Sequence, residues 1–315
     1  MNKGKVFEIF INKFMESVGF SGVASDGIYI FDGAAGQMIQ GLGEAHNADV
    51  LVEPPVQTPF YALTRLLVEC KNYEKKVGLN TLRSAFGLRE DINQFNIVDT
   101  RELSGRQGNR GSIIHQETRY QYQVALAATN GFTKQAQNFA LAHRIPLIDM
   151  NKMPFWNEIY DLIESEIRCL ENDHQDDIQE LQRYAEEAAE EYSANMAVAV
   201  TDLGQLLFLY RTKGKRTVFG DKYALHWGDM HSPWELKTVG ASYLFQLPET
   251  IAKKWITQSS DDLSRKINAL HCKERFLSSM IVYYRLNHRP QIKMISIDEL
   301  QLLNVRHAIK EQNEN

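Results

Sequence analysis

Asp49-Val50-Leu51-Val52 and Leu66-Leu67-Val68-Glu69-Cys70-Lys71 are two short apolar runs that carry charge where a buried strand normally excludes it. On an extended chain residues i and i+2 project to the same face, so Glu69 and Lys71 point together while Cys70 points into the packing on the other side. If the first run pairs with the second, Asp49 joins them, and two acids and an amine converge on one spot. Two carboxylates can hold a Mg²⁺ ion, with Mn²⁺ as a substitute, through a few direct bonds that leave room for water and a phosphate oxygen. Lys71 would orient or deprotonate the attacking water and offset the charge that builds on phosphorus. The plain alternative is an ordinary strand pair with an aspartate at a turn and a surface Glu/Lys pair.

The surrounding pieces add context. Phe7-Glu8 sits in an N-terminal helix that ends near Gly19-Phe20. A glycine-bearing turn, Gly41-Leu42-Gly43-Glu44-Ala45-His46-Asn47-Ala48, leads into Asp49. Val77-Gly78-Leu79 opens a helix after Lys71, Ala127-Ala128-Thr129-Asn130-Gly131-Phe132-Thr133-Lys134 precedes another, and Ile145-Pro146-Leu147-Ile148-Asp149 follows. In this order the first half of the chain resembles the Mrr-like restriction endonucleases of the PD-(D/E)xK nuclease superfamily.

The resemblance implies an α/β fold, a restriction-endonuclease-like mixed sheet flanked by helices. It also implies metal-dependent cleavage of DNA, in restriction or defence against foreign DNA. Asp49 and Glu69 would bind the metal, Lys71 would manage the water, and Glu8 on the first helix would reach the metal. Glu8 reads equally as a solvated helix glutamate. One departure from the pattern is the excursion Glu53-Pro54-Pro55-Val56-Gln57-Thr58-Pro59 between the two charged runs. Proline is excluded from a ladder interior, so this segment is a loop, either at the sheet edge or over the site.

At 315 residues the chain has room for two domains. The expected division is a nuclease domain over 1–152, an acidic helical connector over 153–195, and a C-terminal α+β domain over 196–315 whose role is recognition, sensing or assembly. The net charge of −5 is unevenly spread. Residues 1–150 carry 15 basic and 15 acidic side chains, 151–195 carry 3 and 13, and 196–315 carry 17 and 12. The connector therefore does not bind DNA; its apolar stripe suits packing on another domain or, as a homo-oligomer, on another copy. The mildly basic C-terminal part is compatible with DNA as partner.

A hydrophobic share of 43% and a charged share of 24% are ordinary for a globular protein. No stretch approaches the ~20 apolar residues of a membrane span, and the first residues lack a signal-peptide core, so the expected location is the cytoplasm, without membrane contact. Cys70, Cys169 and Cys272 are scattered, which argues against disulfides and zinc. Cys70 reads as a small buried hydrophobe.

Further contacts are open. The 41–43 turn has unobstructed amides but is too short for a dinucleotide fingerprint. His46 reads as a phosphate contact or support for the metal site, or as a structural turn residue. Lys75, Lys76 and Arg83 could meet phosphates or form a solvated face. The Arg- and Gly-rich segment 100–118 could close on a DNA backbone or be a plain surface loop. Thr129-Asn130-Gly131 ends a strand of a βαβ unit, where ligands gather, though fixing the turn is reason enough. An early hairpin or irregular strand at 20–31, strand patterns at 197–200, 205–210, 223–227 and 241–247, and a helix over 261–285 complete the expected elements. The C-terminal aromatics suit DNA or a modified base, and equally a core.

Two other readings compete. One is a structure-specific nuclease of the junction-resolvase type, working as a symmetric dimer. The other is a non-catalytic DNA-binding or scaffold protein that keeps the fold.

Overall fold

The computed structural model describes residues 3–27, 29–34, 36–57, 62–97, 120–151, 153, 156–158, 161, 165, 178–216, 218–226, 234–248, 250 and 262–314. The Arg- and Gly-rich segment 100–118 lies outside the described residues, as do Cys169 and most of the connector before residue 178.

Helix α1 (Lys3–Ser17) forms where apolar residues recur at steps of three and four, and Phe7, Phe10, Ile11, Phe14 and Met15 are buried along one stripe. Short strands follow: β1 (Ser21–Gly22), β2 (Ile30–Gly33), β3 (Gly36–Gln40), β4 (Ala45–Asn47) and β5 (Val50–Glu53). The expected pairing within 20–31 moves downstream, because the Asp26 carboxylate accepts from the amides of Tyr29 and Ile30 and turns the chain there. β2, β3 and β4 instead make a small antiparallel sheet.

Next come β6 (Leu63–Lys71), α2 (Leu79–Ile97), β7 (Tyr120–Ala128), α3 (Lys134–His143) and β8 (Leu147–Asp149). They build a five-stranded sheet in the order β1-β5-β6-β7-β8, antiparallel from β1 to β6 and parallel from β6 to β8. The chain is thus α/β with a mixed sheet. Alternation sends Leu66, Val68 and Cys70 into the core with α1, and Leu67, Val124 and Leu126 into the core with α2 and α3. Because β5 and β6 are antiparallel neighbours, Asp49 and Lys71 lie at one end of the pair and their proline-rich connection at the other. The described part of the excursion, 53–57, therefore leaves from the end away from the charged residues.

The acidic connector supplies α4 (Ile178–Ser193), whose Ala185 and Ala189 are wholly buried against α1, with Lys13 reaching Glu186 at 3.9 Å. Ala185 and Ala189 thus pack within the chain. The remainder comprises β9 (Met196–Thr201), β10 (Leu206–Lys213), β11 (Lys222–His226), β12 (Trp234–Thr238), β13 (Ala241–Phe245), α5 (Asp262–Phe276), β14 (Ser279–Leu286), β15 (Arg289–Ile297) and α6 (Glu299–Glu314). The seven strands close into a barrel in the order β10-β13-β12-β11-β15-β14-β9.

Three expectations change here. The helix over 261–285 stops at Phe276, since Ile281-Val282-Tyr283-Tyr284 is β-branched and aromatic and pairs with β9 and β15. β12 was not foreseen, and closure of the barrel was not either. Tyr223, Tyr243 and Phe245 fill the barrel interior, so these rings pack the core.

One apolar cluster joins α1, the sheet and the barrel: Phe14 meets Phe208 edge-on at 4.8 Å, and Phe20 meets Tyr283 at 4.9 Å. Phe14→Ala empties the middle of this cluster and is expected to cost about 3–5 kcal/mol of unfolding free energy in urea titrations. A loss below about 1 kcal/mol would contradict the shared core.

Candidate active site

The register Val50↔Val68, carried one step further, brings Asp49 opposite Glu69. Lys71 Nζ donates to Glu69 Oε2 at 2.7 Å and to Asp49 Oδ2 at 3.4 Å. Asp49 is held on both oxygens, Oδ2 accepting from the Cys70 amide at 2.8 Å and Oδ1 from Asn47 Nδ2 at 3.0 Å. These carboxylates are largely buried, with side-chain exposures of 9% for Asp49 and 13% for Glu69. α1 contributes Gly4 and Glu8 to the same cleft, of about 450 Å³, which Asn72 and Tyr73 also line. Asp49, Lys71 and Glu8 therefore line one cleft, and Glu69 stands beside it, bound to Lys71.

The site sets three carboxylates, Asp49, Glu69 and Glu8, against two lysines, Lys71 and Lys5. Desolvation is the main force raising the Glu69 carboxyl above its usual range, Lys71 opposes it, and repulsion from Asp49 and Glu8 adds to it. Glu8 is raised by burial and by Asp49, although Lys5 Nζ donates to it at 2.9 Å. Burial works against the charge on Lys71, but the pull of Glu69 and Asp49 prevails and holds the ammonium above the ordinary lysine range. Burial pushes the Cys70 thiol well up, which removes it as a nucleophile.

The donors are hard carboxylate oxygens without a soft partner, a set that suits Mg²⁺ or Mn²⁺ rather than zinc. Among the described residues no three His, Cys, Asp or Glu side chains stand ready as a metal cage. Lys71 instead spans the two carboxylates.

The remaining sequence candidates separate. His46 does not line the cleft; its Nε2 lies 2.7 Å from Asp91 Oδ2. The amides of Gly41, Leu42 and Gly43 donate to Glu44 O, Asp91 O and Asp91 Oδ1, so the turn has none left for a phosphate. Gly41 is required by close approach, since a Cβ there would stand 2.1 Å from Asp91 Oδ2. Lys75, Lys76 and Arg83 are exposed, the first two on the loop leaving β6 and the third on α2. Sequence reasoning missed Asn47 and Tyr73; the Asn47-x-Asp49 spacing was the available signal for the first.

A larger hollow of about 590 Å³ lies at the opposite end of β7, beside Arg89, Asn93, Tyr122 and Arg144. Its polar groups are largely spent on structure: Asn93 exchanges two hydrogen bonds with the Tyr122 backbone, and Arg89 donates to His143 O. The smaller cleft holds the concentrated charge, and charge marks chemistry better than volume does.

No family model matches the chain, and no curated protein matches it. Among solved structures, the crystal structure of the protein of unknown function AF1548 is 15% identical over 59% of this chain and 95% of that chain, with a TM-score of 0.31. A likeness this slight carries no argument about fold or function.

The Asp91 carboxyl is held below its ordinary 3.8, first by the His46 hydrogen bond and then by the Gly43 amide. Its ionised form therefore favours folding, fully above about pH 4 and decreasingly as pH falls through the lower folded value. Asp91→Asn is expected to melt below the wild type at pH 7, with the difference closing in acid. A difference that persisted at about pH 2 would trace to packing instead.

Proposed function

We propose that this protein is a Mg²⁺-dependent endonuclease that hydrolyses phosphodiester bonds in DNA, with a catalytic unit of the Mrr-like, PD-(D/E)xK type in its first half. One observation carries the reading: Lys71 holds Asp49 and Glu69, and Glu8, paired with Lys5, lines the cleft with Asp49 and Lys71, so three carboxylates stand against two ammonium groups at one end of the β5–β6 pair. Uncompensated charge in a partly buried cleft costs stability, and a divalent cation relieves it. The restriction-endonuclease-like arrangement is supported by the mixed sheet with α1 on one face and α2 and α3 on the other.

Asp49 and Glu69 offer oxygens to the metal, and Glu8 extends the set from α1. Bound Mg²⁺ supplies Lewis-acid polarisation of the phosphate and of a water. The Cys70 amide and Asn47 keep the Asp49 carboxylate in one orientation, so little reorganisation remains for the reaction. Lys71, hydrogen-bonded as an ammonium to two carboxylates, is suited to orienting the water and offsetting negative charge on the phosphate. It is not suited to removing a proton in that state. Restriction or defence against foreign DNA is the biological setting this chemistry fits.

The test is nicking of methylated and unmethylated supercoiled plasmid with Mg²⁺, with Mn²⁺ and with chelator. Cleavage is expected only with metal, and Asp49→Ala and Lys71→Ala are each expected to slow it by about 100-fold or more while circular dichroism stays native. Equal nicking by wild type and both variants, or nicking in chelator, would refute the assignment.

A further inference from the structure

Tyr73 lines the reactive cleft at its rim, with its phenol near Lys71. Among the described residues it is the one aromatic side chain that is substantially exposed, at 48%. Its backbone, by contrast, is tied down. Thr129 N donates to Lys71 O at 3.2 Å, Thr129 Oγ1 donates to Asn72 Oδ1 at 3.0 Å, and Asn130 Nδ2 donates to Tyr73 O. At the other end of the loop Val77 N donates to Gly131 O at 2.8 Å and Thr133 N donates to Val77 O at 2.9 Å, with Val77 and Phe132 both buried.

The Thr129-Asn130-Gly131 turn thus clamps the loop that leaves β6. Gly131 is needed for this, having φ +72° and no space for a Cβ beside Asp149 Oδ2. A clamped loop presents its ring without paying ordering entropy on binding. Lys75 and Lys76 follow, both exposed.

A half-exposed aromatic ring at the rim of the cleft, on a loop whose backbone is tied down and which carries lysines, has the chemistry of a stacking platform for a nucleobase with a charged track for its backbone. Inside a duplex both faces of each base are covered by its neighbours. A ring can use only a free face, at an unpaired, overhanging or extruded nucleotide.

We infer that Tyr73 stacks on an unpaired base next to the phosphate held in the cleft, so that the preferred substrate is a nucleic acid with a single-stranded stretch at the point of cleavage. This rests on the nuclease reading above and adds the substrate class to it.

The test is fluorescence anisotropy in chelator, where no cleavage occurs, with a labelled single-stranded oligonucleotide and a blunt duplex of the same sequence. The wild type is expected to bind the single strand more tightly than the duplex. Tyr73→Ala should weaken single-strand binding about 5- to 150-fold, the equivalent of one lost stack. Tyr73→Phe should keep that affinity, and duplex binding should not change in either variant. A 2-aminopurine in the single strand should be quenched by the wild type and by Tyr73→Phe, and not by Tyr73→Ala.

Unchanged single-strand affinity in Tyr73→Ala, an equal loss on duplex, or no strand preference in the wild type would overturn the inference. Metal-dependent nicking together with Tyr73-independent affinity removes the stacking site alone. Tyr73-dependent affinity without nicking under any metal condition removes the nuclease reading alone.

Discussion

Val50 stands opposite Val68 where β5 meets β6, and a slip of one residue in that pairing would turn Asp49 away from Glu69. The slip is resisted because the pair is buried on both faces, Val50, Val52 and Val68 against α1 and Leu51 and Leu67 against the α2 side. Moving the register would drive apolar side chains of both faces out of position together. Packing on the two faces therefore fixes the separation of the carboxylates more firmly than their own repulsion opposes it. The Cys70 amide completes the constraint by donating to Asp49 while its thiol is locked into the α1 core. Cys70 thus orders the site from its backbone and takes no part through sulfur.

α1 links this site to the rest of the molecule. Its apolar stripe packs against the sheet, α4 and the barrel in one continuous cluster, and Glu8 lies beside that stripe and reaches the cleft. The same helix that seals the core thereby sets the third carboxylate. The acidic helix α4 contributes in kind, burying two alanines against α1 and turning its glutamates outward, where Arg285 of the β14–β15 hairpin meets Glu190 at 3.2 Å. A small-residue face permits this close helix contact, which larger side chains would prevent.

Long, strongly periodic elements were legible from residues alone. The spacing in α1, the βαβ unit from β7 to β8 and the β9–β10 hairpin stand where their patterns predict. Some short elements were not: β3, β4 and β12 hold three to five residues with little periodic signal and took their state from tertiary partners. The 261–285 segment shows the same competition, a helical start overridden where β-branched residues found two strands to join. Within the site, Glu69 and Lys71 were readable because strand alternation is local geometry. Asn47 and Tyr73 were not, since one acts through a side-chain bond to Asp49 and the other through a loop clamped by residues 57 positions away.

From its residues alone the chain settled which side chains could share a face, since alternation along a strand and periodicity along a helix depend only on neighbours in sequence. It also settled that charge was concentrated where a strand should be apolar. Folding in three dimensions decided the rest: that Glu8 joins the carboxylates, that His46 serves Asp91, that Pro54 and Pro55 lie away from the cleft, and that seven strands close on themselves. Each of these depends on which distant segments touch, and contact between distant segments is set by the fit of buried surfaces, which no local pattern records.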